Sequence, residues 1–401
     1  MKPPPGLAER ARRLAPSPTL AVTARARALR AQGVDVISFG AGEPDFDTPE
    51  RVKAAAARAL AAGRTKYTET AGIPELRAAV CAKLERDNGL DYEPADIVVS
   101  VGAKHTLYNI CAVLVGPGDE VVVPAPYWVS YTEQVRLCEG TPVVAPTDEA
   151  RGFQLDVAAI RDALTPRTRA VILNTPNNPT GAVFRRADLE AVGALAVEHG
   201  FWIVADECYE ALSYEERVPS IATLGPEVKA RTLVVHTCSK AYAMTGWRIG
   251  YAAAPRDVAR AMADFQSQCT SNPASIAQWA AVEALAGPQD DVAKMAGEFD
   301  RRRRVMVEGL NAIPGLACRM PQGAFYAFPD VSALFGRRWR GGVLGSSGDV
   351  TAFLLEEARV AVVPGADFGS DRHVRLSYAC GLDTIRDGLA RIEAACRRLG
   401  G

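Results

Sequence analysis

Through the middle of the chain, short runs of aliphatic and β-branched residues alternate with longer stretches whose apolar positions recur at helical spacing. This is the pattern of a mostly parallel sheet covered by helices. The runs predict strands over Ile97–Val101, Glu120–Pro124, Ala170–Asn174, Trp202–Ala205, Thr232–His236 and Ile249–Ala253, with helices such as Lys104–Leu114, Arg186–His199 and Val258–Ser267 between them. After Ala286-Gly287-Pro288 the pattern changes to a long charged helix around Asp300–Leu310. Strands near Ala324–Phe328, Ala361–Val363 and Val374–Ser377 and a last amphipathic helix over Leu382–Leu399 follow. The organisation expected is a large α/β domain over residues 49–287 and a smaller α+β domain over 288–401. Residues 1–48 hold an amphipathic helix ending near Gln32-Gly33 and a Gly-rich loop from Gly40 to Pro44. They are too few to fold alone and are expected to pack with the C-terminal domain. No internal repeat is visible, and the Arg-rich piece Gly336–Gly342 reads as an exposed loop.

Composition narrows the function. A chain of 401 residues with 48% hydrophobic and 23% charged residues is globular, and a formal net charge of -1 gives no electrostatic reason to bind nucleic acid or a membrane. A small-molecule ligand is expected. The first residues, MKPPPGLAERARR, lack the apolar core of a signal peptide, and no stretch reaches the roughly 18 apolar residues of a membrane span, so the expected location is the cytoplasm. Nine scattered cysteines without a Cys-x-x-Cys pair indicate neither a disulfide framework nor a zinc site; they read as reduced, mostly buried thiols. No Gly-x-Gly-x-x-Gly follows a strand, no Gly-x-x-x-x-Gly-Lys occurs, and His105, His199, His236 and His373 have no metal-ligand spacing. Nicotinamide, nucleotide and zinc chemistry lose their usual signals.

Lysine is scarce, eight against thirty-eight arginines, so a lysine just past a predicted strand stands out. Lys240 follows Thr232–His236 through Thr237-Cys238-Ser239, and Arg248 comes eight residues later, leading into the next strand. In open α/β sheets ligands sit outside the carboxyl ends of the strands, where a lysine, two hydroxyls and an arginine could hold an aldehyde and a phosphate together. Alone, the segment could equally be an exposed lysine beside a salt-bridged arginine. Two neighbouring strand ends add to it. One leads into Asp206-Glu207-Cys208-Tyr209 and the other into Thr175-Pro176-Asn177-Asn178-Pro179-Thr180-Gly181. A pyridoxal 5′-phosphate enzyme needs an acid on the pyridine nitrogen, to keep it protonated, and donors on the ring oxygen. Asp206 suits the first task, Tyr209 and Asn178 the second.

The chain thereby resembles the fold-type I pyridoxal-phosphate enzymes of the class I aminotransferases, in particular the bacterial aspartate aminotransferase branch that includes aspartate/prephenate aminotransferases. Segments carrying the resemblance, in order, are Gly42–Pro49, Lys66-Tyr67 with Ala71–Arg77, Pro126–Tyr131, Asn178–Gly181, Ser239–Arg248 and Arg375–Tyr378. It implies that Lys240 bonds the coenzyme and later moves a proton between the substrate Cα and the coenzyme. It implies Asp206 on the ring nitrogen, Tyr209 and Asn178 on the ring oxygen, and Trp128 stacked on the ring. The phosphate would lie on Arg248, Ser239, Thr237 and the backbone around Gly102, Ala103 and Lys104 at a helix amino terminus. Tyr67 would reach the phosphate of a neighbouring subunit, implying a homodimer with shared sites, and Arg375, helped by the Gly42 backbone, would hold the substrate α-carboxylate.

For substrate choice the resemblance points to Lys104, with Thr19 as a second contact, as the group that binds the distal carboxylate of aspartate or glutamate. A lysine in the first turn opposes the helix dipole and calls for a reason. Relatives active on prephenate carry a basic residue four positions before Thr19; here that position is Ala15, with Arg13 nearby. The alternatives are a prephenate or aromatic aminotransferase or a C–S β-lyase of the same fold. A coenzyme-binding transcription regulator would need a DNA-reading module for which the 48 leading residues are too few.

Overall fold

The computed structural model describes residues 6–8, 12, 18–215 and 219–399, with the backbone alone at 18–20 and 23. Seven strands form the main sheet: β1 (Ile97–Ser100), β2 (Glu120–Ala125), β3 (Thr141–Pro146), β4 (Thr168–Asn174), β5 (Trp202–Asp206), β6 (Thr232–Thr237) and β7 (Gly250–Ala253). Their order across the sheet is β1-β7-β6-β5-β4-β2-β3. Every neighbouring pair is parallel except the two that involve β7.

The inner strands are near-continuous apolar runs because helices cover both faces. Successive residues still divide between the faces with period two. With the N-terminal helix Pro18–Ala31 as α1, Val121 and Val123 join the core that also buries Leu107 and Ile110 of α2 (Ala103–Leu114), whereas Val122 joins Leu189, Val192 and Leu195 of the helix Arg186–His199 on the other side. Six of the seven strands lie where the hydrophobic pattern places them. The seventh, β3, was not predicted. It reads TPVVAP, and it is an edge strand, where two prolines are tolerated because half of its backbone N–H groups have no partner strand.

This topology gathers the chemistry at one edge. Parallel register sets Asn174 of β4 beside Asp206 of β5 and Asp206 beside Val235 of β6, so that Thr237 ends β6 two residues further along the same edge. Because β7 runs the opposite way, it begins where the others end: Gly250 pairs with Thr237 on one side and with Ser100 of β1 on the other. The turn before β7, with Arg248, and the start of α2, with Lys104, therefore reach the edge that carries Asp206.

The C-terminal part holds a three-stranded antiparallel sheet of β8 (Tyr326–Ala327), β9 (Val363–Pro364) and β10 (Val374–Ser377), in the order β9-β10-β8. Two of its predicted strands are shorter than expected. Ala324 takes a left-handed φ of 58°, which keeps it out of β8, and the run at 361–363 splits into a first pair, Val360–Ala361, and β9. The first pair lies parallel to Ile37–Ser38 of the N-terminal segment. The long helix α3 starts ten residues earlier than predicted and spans Asp290–Ala312, with Asp290 and Asp291 placed well for its dipole. It buries Arg302, which donates to Glu298 at 2.9 Å and to Asp45 of the N-terminal segment at 2.6 Å. A final helix, α4, covers Leu382–Arg398. The Arg-rich piece is a small hairpin, Arg338–Trp339 against Gly342–Val343, instead of a loop. Trp339 anchors it, edge-to-face on Phe353 and donating to Glu357 at 3.0 Å. All nine cysteines are free thiols, five of them buried. Among the described residues no helix is long and apolar enough to cross a membrane.

Candidate active site

At the sheet edge lies a cavity of about 470 Å³, walled by the N-terminal loop Ala41–Glu43, the strand ends, Tyr326 of β8 and Arg375 of β10. Lys240 leaves the short helix Cys238–Ala241, which Thr237 caps by accepting from the Ser239 N–H at 3.1 Å. The ammonium donates to the Gly42 carbonyl at 2.5 Å. Among the described residues no carboxylate lies within ion-pair distance of it. Burial lowers its pKa to about 8, which suits a lysine that must act as a neutral amine near neutral pH.

Asp206 ends β5 with 4% of its surface exposed. One carboxylate oxygen accepts from Tyr131 Oη at 2.6 Å and the other from the Cys208 N–H at 3.1 Å. Burial raises its pKa, and these two hydrogen bonds and Lys240 oppose the rise. Tyr209 and Tyr326 share a hydrogen bond of 2.9 Å between their hydroxyls. Arg375 is 1% exposed and donates to Asn178 Oδ1 and to the Gly40 carbonyl, each at 3.0 Å, while its Nε is buried without a partner. Its guanidinium lies 4.5 Å from the Tyr326 ring centroid, and burial lowers its pKa.

A second group of residues meets where α2 begins. Arg248, in the left-handed region at φ 58°, donates to the Thr245 and Val101 carbonyls at 2.9 and 3.3 Å. Gly102 lies beneath it with φ 82°, and a Cβ there would come within 2.5 Å of the guanidinium. At Gly250 a Cβ would come within 2.2 Å of the Ala103 nitrogen. Both glycines let the backbone donors of the helix start close on Arg248. Lys104 sits exposed at the rim with its ammonium 4.9 Å from the Trp128 ring centroid. Partial burial lowers its pKa, and Arg248 adds to the shift.

Lys240, Asp206, Tyr209, Asn178, Ser239, Thr237, Arg248, Trp128, Ala103, Lys104, Arg375 and Gly42 all line the one cavity, and Gly102 adjoins it under Arg248. Tyr67 does not: it stands 91% exposed on a loop away from the cavity. The Thr19 side chain, Ala15 and Arg13 lie outside the described residues. The sequence reading gave no role to Tyr131, Tyr326, Asn174, Glu43 or Arg27, which also line the cavity. Tyr131 had a signal, since it sits six residues beyond the end of β2. Tyr326 had none, because it comes from a sheet far along the chain.

Residues 34–392 match the family model for aminotransferase class I and II. The chain belongs to that family. Among its relatives are the aspartate aminotransferase of Geobacillus stearothermophilus, 48% identical over 96% of this chain and 98% of the relative. The aspartate/prephenate aminotransferase of Cereibacter sphaeroides is 50% identical over the same shares. The crystal structure of the Rhizobium meliloti aspartate aminotransferase superposes with a TM-score of 0.95 at 47% identity, covering 98% of this chain and all of that one. The Thermus thermophilus aspartate aminotransferase with maleate superposes at 0.92, also at 47% identity, over 98% of this chain and all of the other. The class I aminotransferase is thus of fold type I, as its main sheet and flanking helices indicate.

Proposed function

We propose that this aminotransferase moves the amino group of aspartate or glutamate to a 2-oxo acid such as 2-oxoglutarate, using pyridoxal 5′-phosphate in a ping-pong cycle. The observation that carries the reading is a single cavity with two cations for two carboxylates: Arg375 in its wall and Lys104 at its rim. The relatives named aspartate aminotransferase support it, as does maleate, a four-carbon dicarboxylate, with the Thermus enzyme.

The residues present fit the coenzyme. Among the described residues Lys240 has no carboxylate within ion-pair distance, and Asp206 is buried in the cavity wall. The Gly102–Lys104 backbone with Arg248, Ser239 and Thr237 forms an anion cradle that a Cβ at Gly102 or Gly250 would fill. Bound there, the coenzyme supplies an electron sink for the carbanion at the substrate Cα. Asp206, oriented by Tyr131, would keep a proton on the ring nitrogen; Tyr209 and Asn178 would serve the ring oxygen, and Trp128 would stack on the ring. Arg375 takes the α-carboxylate, and its unpartnered Nε leaves capacity for a further bond. Lys240 Nζ, whose burial favours the neutral amine more than in an ordinary lysine, would take the proton from the substrate Cα and hold it for return. Lys104, with Thr19, takes the distal carboxylate.

Residues 49–287 form the coenzyme-binding unit in this reading, and the chain from 288 onward the smaller unit, against which Ile37–Ser38 of the N-terminal segment lies. The active form is a cytoplasmic homodimer in which the exposed Tyr67 reaches its partner's phosphate cradle. A donor and acceptor panel of aspartate, glutamate, prephenate, tyrosine, kynurenine and cystathionine tests the assignment. Parallel double-reciprocal lines with aspartate and 2-oxoglutarate are expected. Preference for tyrosine or cystathionine over both dicarboxylates would overturn it. Prephenate belongs in the panel because of the Cereibacter relative, although Ala15 stands where relatives active on prephenate carry a basic residue.

A further inference from the structure

Behind the active-site floor lies a second polar cluster that the reaction above does not use. Cys208 and Thr237 line the substrate cavity and also a smaller one of about 320 Å³ on their reverse side, bounded by Lys83, Glu210 and His236. The strand-end alternation that turns Asp206 and Thr237 toward the coenzyme turns Glu207 and His236 the other way. Glu207 is 4% exposed, His236 3% and Lys83 5%.

Geometry assigns the charges. Lys83 pairs with Glu210 and donates to Asn88 Oδ1 at 2.8 Å, and Asn88 donates to Glu210 as well. The one ammonium of the cluster is thus committed to Glu210. His236 stands between the two glutamates, with Nδ1 3.6 Å from Glu210 and Nε2 3.5 Å from Glu207, and Nε2 makes no hydrogen bond. An imidazolium between two carboxylates would draw both to roughly 2.7–2.9 Å; at these separations the ring is neutral. Among the described residues Glu207 then has no lysine or arginine within ion-pair distance; the Ser220 hydroxyl and, from farther off, the charge of Lys83 favour its ionised form but do not outweigh its burial. A buried carboxylate without a cation takes up a proton instead.

We propose that Glu207 is a positioning residue, a carboxylic acid held neutral behind Asp206, so that Asp206 alone of this adjacent pair presents negative charge to the coenzyme ring until Glu207 ionises in alkaline solution. The groups facing it are Asp206 and Glu210 on its own segment, His236 on β6, Lys83 on the helix Pro74–Lys83, Ser220, and Tyr92, whose phenol its charge would raise further. Burial pushes Glu207 up to about 8, with the charge of Glu210 adding to the shift. Burial, then Lys83, brings His236 down to about 3. Burial opposes ionisation of Glu210, but the charge and hydrogen bond of Lys83 and the hydrogen bond of Asn88 keep its pKa below the ordinary value.

The sign follows from linkage. Between the ordinary glutamate value of 4.5 and about 8, the folded protein keeps a proton on Glu207 that the unfolded chain has lost, so this contribution to stability declines as pH rises through that window. His236 acts oppositely between about 3 and 6.5, so from pH 6.5 to about 8 Glu207 is the titrating member of the cluster.

The test uses the holoenzyme and Glu207→Gln, a neutral isostere. Wild type is expected to show the infrared carbonyl stretch of a protonated carboxylic acid at pH 6.5 that the variant lacks. Its melting temperature should fall relative to the variant between pH 6.5 and 8. The coenzyme absorption of wild type should show an alkaline inflection that the variant loses. The first two readouts are independent of the role proposed for Asp206; the third rests on it, so its failure alone would count against that role. No infrared difference, or a variant equally destabilised at every pH, would mean an ionised Glu207 paired with protonated His236 and would overturn the proposal. If Glu207→Gln does not fold, His236→Gln replaces it: retention of the wild-type pH dependence supports a neutral ring, and its loss overturns the idea.

Discussion

The floor and the rim of the active site are built by different rules. On the floor, Asp206, Tyr209, Thr237 and Ser239 are buried on adjacent strand ends whose register is fixed by the sheet. Their protonation follows burial, which raises Asp206 and lowers Lys240. At the rim, Lys104 and Arg27 are exposed in the single chain and come from a helix start and the N-terminal helix Pro18–Ala31. Groups whose task depends on a tuned proton sit where backbone hydrogen bonds hold them and water is excluded; groups that choose the substrate sit where side chains can still adjust. Floor substitutions should therefore hurt every substrate alike, and rim substitutions should discriminate among substrates.

The largest effect expected is at Lys240. Lys240→Ala removes both the bond to the coenzyme and the proton carrier, and turnover of all donors should fall by at least about 10⁴-fold in steady-state assays. Borohydride reduction of wild type should fix the coenzyme on the peptide containing Lys240. Next comes Asp206→Asn. The amide keeps the shape and much of the hydrogen bonding but cannot hold the ring nitrogen protonated, so turnover should drop by about 10²–10³-fold while absorbance still reports bound coenzyme. A loss confined to dicarboxylates in either variant would erase the distinction between floor and rim.

A smaller effect is expected from Tyr67→Phe. Loss of one hydrogen bond of about 0.5–1.5 kcal/mol should weaken coenzyme binding by up to about tenfold, read by equilibrium dialysis. Heterodimers pairing this variant with Lys240→Ala sharpen the point, since in the proposed dimer the phosphate contact would come from across the interface. The smallest effect is a pH dependence of folding in coenzyme-free protein. Lys240 is lowered from 10.5 to about 8 by burial, so the unfolded chain binds a proton that the folded protein has released between those values. Stability from this group is present above 10.5 and lost as pH falls toward 8. Lys240→Met should flatten thermal melting over that window.

Most of the floor was legible in the sequence because its residues lie at or just past the carboxyl ends of apolar runs, where the strand pattern itself announces the position. Asp206 and Lys240 were found that way; the start of β4 lies two residues earlier than predicted, and β5 and β6 each end one residue later. The rim was less legible. Lys104 was picked out through family resemblance and its awkward place in a helix's first turn, and Arg27 gave no signal, since one arginine among several on an amphipathic helix looks like a solvated face. Tyr326 was hidden for another reason. It meets Tyr209 through packing of the C-terminal sheet on the main one, a contact across more than a hundred residues that no local pattern encodes. The edge strand β3 escaped because its prolines and its outward Val144 break the strand pattern.

The measurement that tests the division most directly is kcat/KM of Lys104→Ala for aspartate and for alanine. A charged contact in a partly exposed site is worth up to about 1.5–3 kcal/mol, so aspartate and 2-oxoglutarate should lose about tenfold to about a hundredfold. Alanine, with no distal carboxylate, should change little. Equal losses for both donors would place Lys104 among the residues that support the coenzyme or the fold, and the assignment of the rim to dicarboxylate selection would fail.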